Sequence, residues 1–244
     1  MSPLQRKWCV AVAALAGALL TARLGWWQLD RAEQKLALQA ALESRAQLPV
    51  IDQPAQLATN SAAAADQHHR LLRLSGRWSP SHTVFLDNRQ MNGRPGFFVL
   101  TPLLLADGSA LVVQRGWIPR DFLERSRVRE VPTSADEVLV LGRIAPPPSR
   151  LVELGAAEPG RIRQNLNLDD FRRETGLALR PLSALLVESP ASAGDGLLRD
   201  WPAPSSGVAK NRGYAVQWFA LSLLIIALYA WFQLIQPFRR RSRG

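Results

Sequence analysis

The sequence has almost no cysteine and little histidine. Among its 244 residues there are one cysteine, Cys9, and three histidines, His68, His69 and His82. A single thiol cannot form a disulfide within the chain, and a cysteine-based metal cage needs several thiols. The sequence therefore argues against a disulfide-stapled domain, a zinc module and a thiol copper chaperone.

Acidic residues are absent from both ends of the chain. All 20 of them lie between Asp30 and Asp200. Seven of the 30 basic residues lie within or beside the two most apolar stretches, namely Arg6, Lys7, Arg23, Arg239, Arg240, Arg241 and Arg243. The section between those stretches is close to neutral. The net charge of +10 is therefore typical of membrane-flanking segments and argues against a nucleic-acid partner.

Motifs for catalysis are also missing. The sequence contains no glycine-rich phosphate loop, no GxSxG elbow and no HExxH. His68 and His69 beside Asp66 could form half a metal site, or only a polar loop before a strand. Asp169 and Asp170 are better explained by the N-terminus of a helix than as paired catalytic carboxylates. A hydrolase stays an alternative without an identifiable nucleophile or base, and we expect neither an enzyme nor a metal site.

Two long apolar stretches are present. The first runs from Trp8 to Trp27, which is about 20 residues and roughly 30 Å of helix, enough to cross the hydrocarbon core. No small-x-small cleavage site follows Leu20, so we expect a retained anchor and not a signal peptide. The second runs from Tyr214 to Ile235 and has aromatic residues near its ends. Basic residues flank the outer ends of both, which places both termini in the cytoplasm and the middle section in the periplasm of a bacterium.

These features predict five parts of the chain: a cytoplasmic N-terminus (1–7), a first transmembrane helix (8–28), a periplasmic β-rich domain (29–212) with a helical stalk (29–47), a second transmembrane helix (213–235) and a basic cytoplasmic tail (236–244). Small residues recur at every fourth position of the first helix, at Ala13, Gly17, Thr21 and Gly25. They would let a second helix approach closely, unless an alanine-rich anchor contains them by chance. Gln217 could hydrogen-bond across to Gln28.

The middle section contains a succession of short expected strands. They lie at His69–Gly76, Thr83–Asn88, Gly96–Leu103, Ala110–Trp117, Val138–Ile144 and Leu182–Glu188. Asp107-Gly108 predicts a hairpin turn, and Asp169–Thr175 predicts a short helix that ends at Gly176. Short turns favour an antiparallel sheet or barrel. The expected fold class is a membrane protein in which two transmembrane helices form a hairpin, both termini cytoplasmic, around a mainly antiparallel β (α+β) extracytoplasmic domain.

Four segments together resemble one family. They are GWWQLDRAEQK (25–35), GRPGFFVLTPL (93–103), VVQRGWIPR (112–120) and NRGYAVQWFALSLL (211–224). Their order and spacing resemble the Surfeit-locus-one family (Shy one in yeast), the assembly factors of haem-copper cytochrome oxidase, over about residues 8 to 235. The resemblance implies a non-enzymatic role in the inner membrane, helping to place haem a and its neighbouring copper into the large oxidase subunit. The implied partners are that subunit, other haem and copper assembly factors, and the lipid bilayer.

The resemblance also implies a transient haem a site beside the two anchors. The candidate residues are flat aromatic faces, arginines that could pair with propionates, and one amide: Arg23, Trp26, Trp27, Asn211, Arg212, Tyr214 and Trp218. Interfacial belts have the same aromatic composition without any ligand. In many relatives a histidine stands at the position of Asn211, and an amide is a poor ligand for haem iron. Two alternatives follow. Either the chain holds haem a by the shape of its site and by pairing with the propionates while a partner supplies the iron ligand, or the chain is a scaffold that carries no haem. We favour the second.

Seven further motif residues are expected to have structural roles: Gly93, Pro95, Gly96, Pro102, Arg115, Gly116 and Trp117. Gly116 would permit a bend or bulge at the end of a strand, and Trp117 would pack under the sheet. For the Arg115-Gly116-Trp117 turn, contact with a partner is the alternative role. The alternative to the whole assignment is a membrane-anchored periplasmic binding or sensor module unrelated to oxidase.

Overall fold

The computed structural model describes residues 2–121, 128–146, 148, 160–187, 194–201 and 207–236. They belong to two compact units, one formed by both ends of the chain (1–40 and 203–244) and one formed by residues 41–202. The basic cluster Arg239, Arg240, Arg241 and Arg243 lies outside the described residues. Glu188, the last residue of a predicted strand, lies outside them as well.

Two long apolar helices dominate the first unit. Helix α1 (Pro3–Ala46) is one continuous element of 44 residues, so the first apolar stretch and the polar segment after it are parts of one helix. The later α4 (Val208–Ala230) continues into a π-helical turn at Trp231–Ile235. By length and composition, each of the two could cross a membrane.

The two helices run antiparallel and touch through small residues. Phe219 of α4 lies against Gly25 of α1, where a Cβ atom would come within 2.8 Å of the phenyl ring. One turn further along α4, the hydroxyl of Ser222 donates to the backbone oxygen of Ala18 at 2.9 Å. Because later residues of α4 meet earlier residues of α1, the pair is a hairpin.

The predicted stripe of small residues lies only partly on the contact face. A Cβ atom at Gly17 would lie 3.6 Å from Ile225, and Thr21 and Gly25 are buried. Ala13, in contrast, is exposed. A four-residue spacing turns by about 40° at each step around a helix of 3.6 residues per turn, so the stripe drifts away from the partner helix at its N-terminal end.

The second unit is a mixed sheet with two short helices. Within the described residues its strands are β1 (Leu71–Trp78), β2 (Val84–Met91), β3 (Arg94–Leu104), β4 (Ala110–Pro119), β5 (Glu137–Ala145), β6 (Ile162–Arg163) and β7 (Leu179–Leu186). The helices are α2 (Ser61–Gln67) and α3 (Leu168–Thr175). The six predicted strands are present with shifted ends, whereas the two-residue β6 was not predicted.

The strands follow the order β1-β5-β7-β4-β3-β2-β6, and an additional pairing of β1 with β3 closes the first five into a ring. Most neighbours are antiparallel, as expected, but β4–β7 and β2–β6 are parallel. The sheet is therefore mixed. Parallel neighbours need a long crossover, and the chain between β4 and β7 supplies one that contains β5, β6 and α3.

Alternation along the strands fills the core of this ring. The buried apolar side chains include Leu72, Leu74, Trp78, Leu103, Leu111, Val113, Val140, Ile144, Leu182, Ala184 and Leu186. Each buried Val or Leu contributes roughly 1.5–3 kcal/mol relative to exposure. The intervening residues of β1, among them Arg73, are exposed on the outer face. This alternation fixes which charged side chains the ring presents to solvent.

Local signals that were identified in the sequence are present in the structure. Asp107-Gly108 forms the turn between β3 and β4, with Gly108 at φ +79° and the Ser109 hydroxyl donating to Asp107 at 2.6 Å. Asn167 caps α3 by accepting from the backbone N–H groups of Asp169 and Asp170. Gly176 ends that helix at φ 68°. Both acidic residues therefore belong to a helix terminus.

Candidate site on the helix pair

Asn211 lies in the first turn of α4 and binds α1 through both atoms of its amide. Its Nδ2 donates to Oε1 of Gln28 at 2.6 Å, and its Oδ1 accepts from Nζ of Lys35 at 2.8 Å. Gln28 and Lys35 are two helical turns apart and share one face of α1. The amide therefore clamps the open end of the hairpin across two turns of the longer helix.

The structure corrects the predicted pairing of Gln217 with Gln28. Asn211 is the residue that donates to Gln28, and Gln217 is exposed. The contact face of α4 contains Ala215, which is buried. Gln217 lies about 200° around the helix from Ala215, so its side chain points away from α1.

The candidate aromatic residues lie on different sides of the hairpin. Trp26 packs edge-to-face against Phe219, with 5.9 Å between ring centroids, yet 64% of its surface stays exposed. Trp27, the next residue, is exposed about 100° further around α1. Tyr214 is exposed beneath the ammonium group of Lys210, 5.8 Å from the ring centroid. Such an arrangement fits an aromatic belt at a membrane interface.

The remaining candidates are two arginines and one tryptophan. Arg23 and Arg212 are exposed, and within the described residues neither guanidinium has a hydrogen bond or an ion pair. Trp218 is half-buried. These guanidinium and indole groups could contact a flat molecule that carries carboxylates, but none of them can coordinate iron.

Asn211 offers haem iron only a weak ligand. Its amide oxygen, the side-chain atom with lone pairs to offer, is a poorer ligand for iron than an imidazole nitrogen, and it already accepts a hydrogen bond from Lys35. The three histidines of the sequence, His68, His69 and His82, all lie outside the two apolar helices. The geometry thus assigns Asn211 to holding the helices together.

Arg115 of the RGW segment is buried in the second unit, with only 2% of its surface exposed. Its guanidinium donates to the Thr133 hydroxyl at 2.6 Å and to the Pro132 carbonyl at 2.9 Å. It also lies 4.9 Å from the ring centroid of Trp78 and 3.7 Å from the carboxylate of Asp195. Burial lowers the pKa of Arg115, and Asp195 opposes that shift. Arg115 therefore ties β4 to two loop segments.

Gly116 makes a close approach to one of those segments possible. A Cβ atom at Gly116 would lie 2.6 Å from Cβ of Leu197 and 2.9 Å from the backbone oxygen of Leu198. Beside it, Trp117 and Leu198 exchange two backbone hydrogen bonds of 2.8 and 2.9 Å. The register with β3 also shifts here, because Val99 pairs with Gly116 and the next pair skips Arg115. This is a β-bulge, which turns Arg115 inward.

Trp117 is almost fully buried, and a second glycine, Gly96, leaves room for its indole ring. Its indole Nε1 donates to the backbone oxygen of Arg89 at 2.9 Å. A Cβ atom at Gly96, on the neighbouring strand β3, would lie 2.4 Å from the indole ring and 2.2 Å from the Ile118 carbonyl. Gly96 therefore provides the space that the indole occupies.

The other motif residues shape β3 and its turn. Asn92 and Gly93, at φ 52° and 74°, form a two-residue turn between β2 and β3, an Asn-Gly signal that was not used to predict a hairpin. The carbonyl of Pro95 accepts from the backbone N–H of Arg120 at 3.2 Å. Pro102 is buried at the point along β3 where pairing with β2 ends and pairing with β1 begins. Its missing N–H therefore interrupts neither of these two ladders.

Comparisons with known proteins agree with one another. The model of the SURF1 family matches residues 15–223. A SURF1-like protein of Rickettsia conorii is 24% identical over 216 residues, which cover 84% of this chain and 83% of that protein. The cytochrome oxidase assembly protein SHY1 of Saccharomyces cerevisiae is 26% identical over 159 residues, which cover 63% of this chain and 40% of the yeast protein. Surfeit locus protein 1 of Arabidopsis thaliana is 30% identical over 135 residues, which cover 50% of this chain and 36% of that protein.

Proposed function

This chain belongs to the SURF1 family, and we propose that it acts as an assembly factor for haem-copper cytochrome c oxidase. The proposal depends on the family match over residues 15–223, which includes the sheet unit and most of both apolar helices. The yeast relative is named as a cytochrome oxidase assembly protein. A non-enzymatic role agrees with Arg115 and Trp117, whose buried polar groups bind other parts of the chain.

The proposed location is the bacterial inner membrane, with transmembrane segments 8–28 and 213–235, both termini in the cytoplasm and the sheet unit in the periplasm. Large apolar side chains that are mostly exposed on both helices, such as Leu19 and Leu223, support it. Such a surface is unfavourable in water and is covered by lipid in a bilayer. A periplasm-specific reporter should be active when fused after Ala46 and inactive when fused at either terminus.

Within this role, we infer that the chain supports haem a placement in the large oxidase subunit as a scaffold. The support comes from Asn211, whose amide binds Gln28 and Lys35. The proposed partners are the large subunit and other haem or copper assembly factors, one of which would supply the iron ligand. The exposed Trp27 and Tyr214 are then interfacial residues that hold the hairpin at a fixed depth.

Deletion of the protein tests the assembly role. Membranes of the deletion strain should lose haem a absorbance, and the unaltered protein supplied in trans should restore it. A membrane-anchored binding or sensor module with no connection to oxidase predicts unchanged absorbance. That outcome would remove the proposal.

Purification from a host that makes haem a tests the scaffold role separately. The unaltered protein should contain far less than one haem per chain. An Asn211→His variant, which replaces the amide by an imidazole, serves as the matched comparison for pigment content. A stoichiometric pigment in the unaltered protein would contradict the scaffold role and leave the assembly role standing.

A further inference from the structure

The outer face of strands β1 and β5 presents two arginines close to each other. Residues of β1 alternate between core and solvent, and Arg73 is exposed. In the register of the two strands, Leu71 pairs with Arg143 and Arg73 pairs with Leu141. Arg73 and Arg143 are therefore diagonal neighbours on one face, within reach of each other's long side chains.

Arg143 is a half-buried cation to which the described part of the chain offers no hydrogen-bond acceptor or acidic partner. Its Nε is buried without a hydrogen-bond acceptor, and within the described residues its guanidinium makes neither a hydrogen bond nor an ion pair. A buried cationic donor without an acceptor is unfavourable. The two Nη groups of Arg143 are not buried in this way, so an anion brought by another molecule can bind the guanidinium through them.

Two histidines precede β1 and lie in the same positive field. The ring centroids of His68 and His69 are 6.1 Å apart. Burial lowers the pKa of both, and Arg45 lowers the pKa of His68 further. The pKa of His69 is also lowered by His68, Arg143 and Arg45. Among the described residues, the charges that shift these two histidines are thus all positive.

The backbone at His69 is held in an uncommon conformation. His69 has φ 72°, in the left-handed region that most residues avoid but that asparagine, aspartate and histidine adopt more readily, and its N–H donates to the carbonyl of Ile144 at 2.8 Å. Strained positions of this kind occur preferentially at functional sites. The hydrogen bond to Ile144, the residue after Arg143, holds His69 close to that arginine.

We propose that Arg45, His68, His69, Arg73 and Arg143, which we name the β1–β5 cationic patch, bind an acidic segment of a partner protein. A row of carboxylates matches this set better than one small anion does, because Arg73 and Arg143 lie on the strand face while Arg45 and the two imidazoles add further hydrogen-bond donors. Arg73 and Arg143 can each bind a carboxylate in a bidentate manner, whereas Arg45 already donates one hydrogen bond to the Asp66 carbonyl. The choice of a protein partner rests on the proposed assembly role.

Binding of an acidic peptide to the full-length protein in zwitterionic nanodiscs tests the proposal. The probe is a fluorescent decamer of alternating glutamate and serine, and its control is the same decamer with glutamine for glutamate. The double variant Arg73→Gln/Arg143→Gln should bind the acidic decamer about tenfold more weakly. The single variant Arg73→Gln changes only an exposed side chain, so it should fold normally and show part of the loss.

A matched double variant separates the patch from net charge. Arg94→Gln/Arg173→Gln removes the same charge from two exposed positions elsewhere and should keep the affinity within about twofold. An equal loss in both doubles would overturn the proposal. Binding of inorganic phosphate or phosphatidylglycerol vesicles to the patch, without binding of the decamer, would also overturn it. Loss of haem a in the deletion strain without decamer binding would remove the patch proposal alone.

Discussion

Asn211 donates a hydrogen bond of 2.6 Å to Gln28, a residue 183 positions earlier in the chain. The pair joins the first turn of α4 to the middle of α1. Lys35 adds a charged donor to the same amide. Asn211 is therefore one of the residues that close the hairpin, and it would have to give up these hydrogen bonds in order to bind a ligand.

Replacing Asn211 with alanine should loosen the hairpin. The change removes both hydrogen bonds, so Oε1 of Gln28 loses this donor and Nζ of Lys35 loses this acceptor. We expect a loss of about 2 kcal/mol in the free energy of unfolding. Denaturation of the purified protein in detergent measures it. Asn211→Asp keeps an acceptor for Lys35 and should lose less, and equal losses for both variants would show that the Lys35 contact contributes nothing.

Adding a methyl group at Gly25 should force Phe219 to move. The new Cβ atom of Gly25→Ala would lie 2.8 Å from the phenyl ring. Overpacking of this kind costs about 1–3 kcal/mol. Gly17→Ala is the matched control, because its Cβ atom would lie 3.6 Å from Ile225, an ordinary contact. The midpoint temperature of thermal unfolding should be lower in Gly25→Ala and nearly unchanged in Gly17→Ala. In the double variant Gly25→Ala/Phe219→Leu, we expect the midpoint to recover.

Local signals allowed much of the fold to be predicted from the sequence. Asp107-Gly108 and Gly176 act through their own backbone conformations, so their neighbours in the chain suffice to identify the turn and the helix end. The alternation in β1 likewise depends only on nearby residues. Such features need no knowledge of distant contacts.

Contacts between distant segments could not be derived in this way. The choice between Asn211 and Gln217 as the partner of Gln28 depends on the rotation of α4 about its axis, which a uniformly apolar helix does not reveal. The parallel pairing of β4 with β7 depends on how the chain returns after β5. The link of Arg115 to Asp195 joins residues whose proximity the sequence does not show.

Acid should weaken the sheet unit through Asp107. The Ser109 hydroxyl and then Arg180 hold the pKa of this carboxyl below its ordinary value of 3.8. Because the folded-state pKa is depressed, the stabilisation is fully present above the unfolded value and is lost as the pH falls from there through the folded pKa. Asp107→Asn should reduce the dependence of the free energy of unfolding on pH below about 4. An unchanged pH dependence in urea titrations would contradict this account.

Replacing Gly116 with alanine should lower the amount of folded protein. The new Cβ atom would lie 2.6 Å from Leu197 and 2.9 Å from the backbone oxygen of Leu198, and backbone cannot move aside as a flexible side chain can. Quantitative immunoblotting of membranes measures the abundance, and haem a absorbance measures oxidase assembly. Gly213→Ala is the control, since nothing lies within 4 Å of its added Cβ atom. If Gly116→Ala kept normal abundance while haem a was lost, position 116 would instead contact a partner.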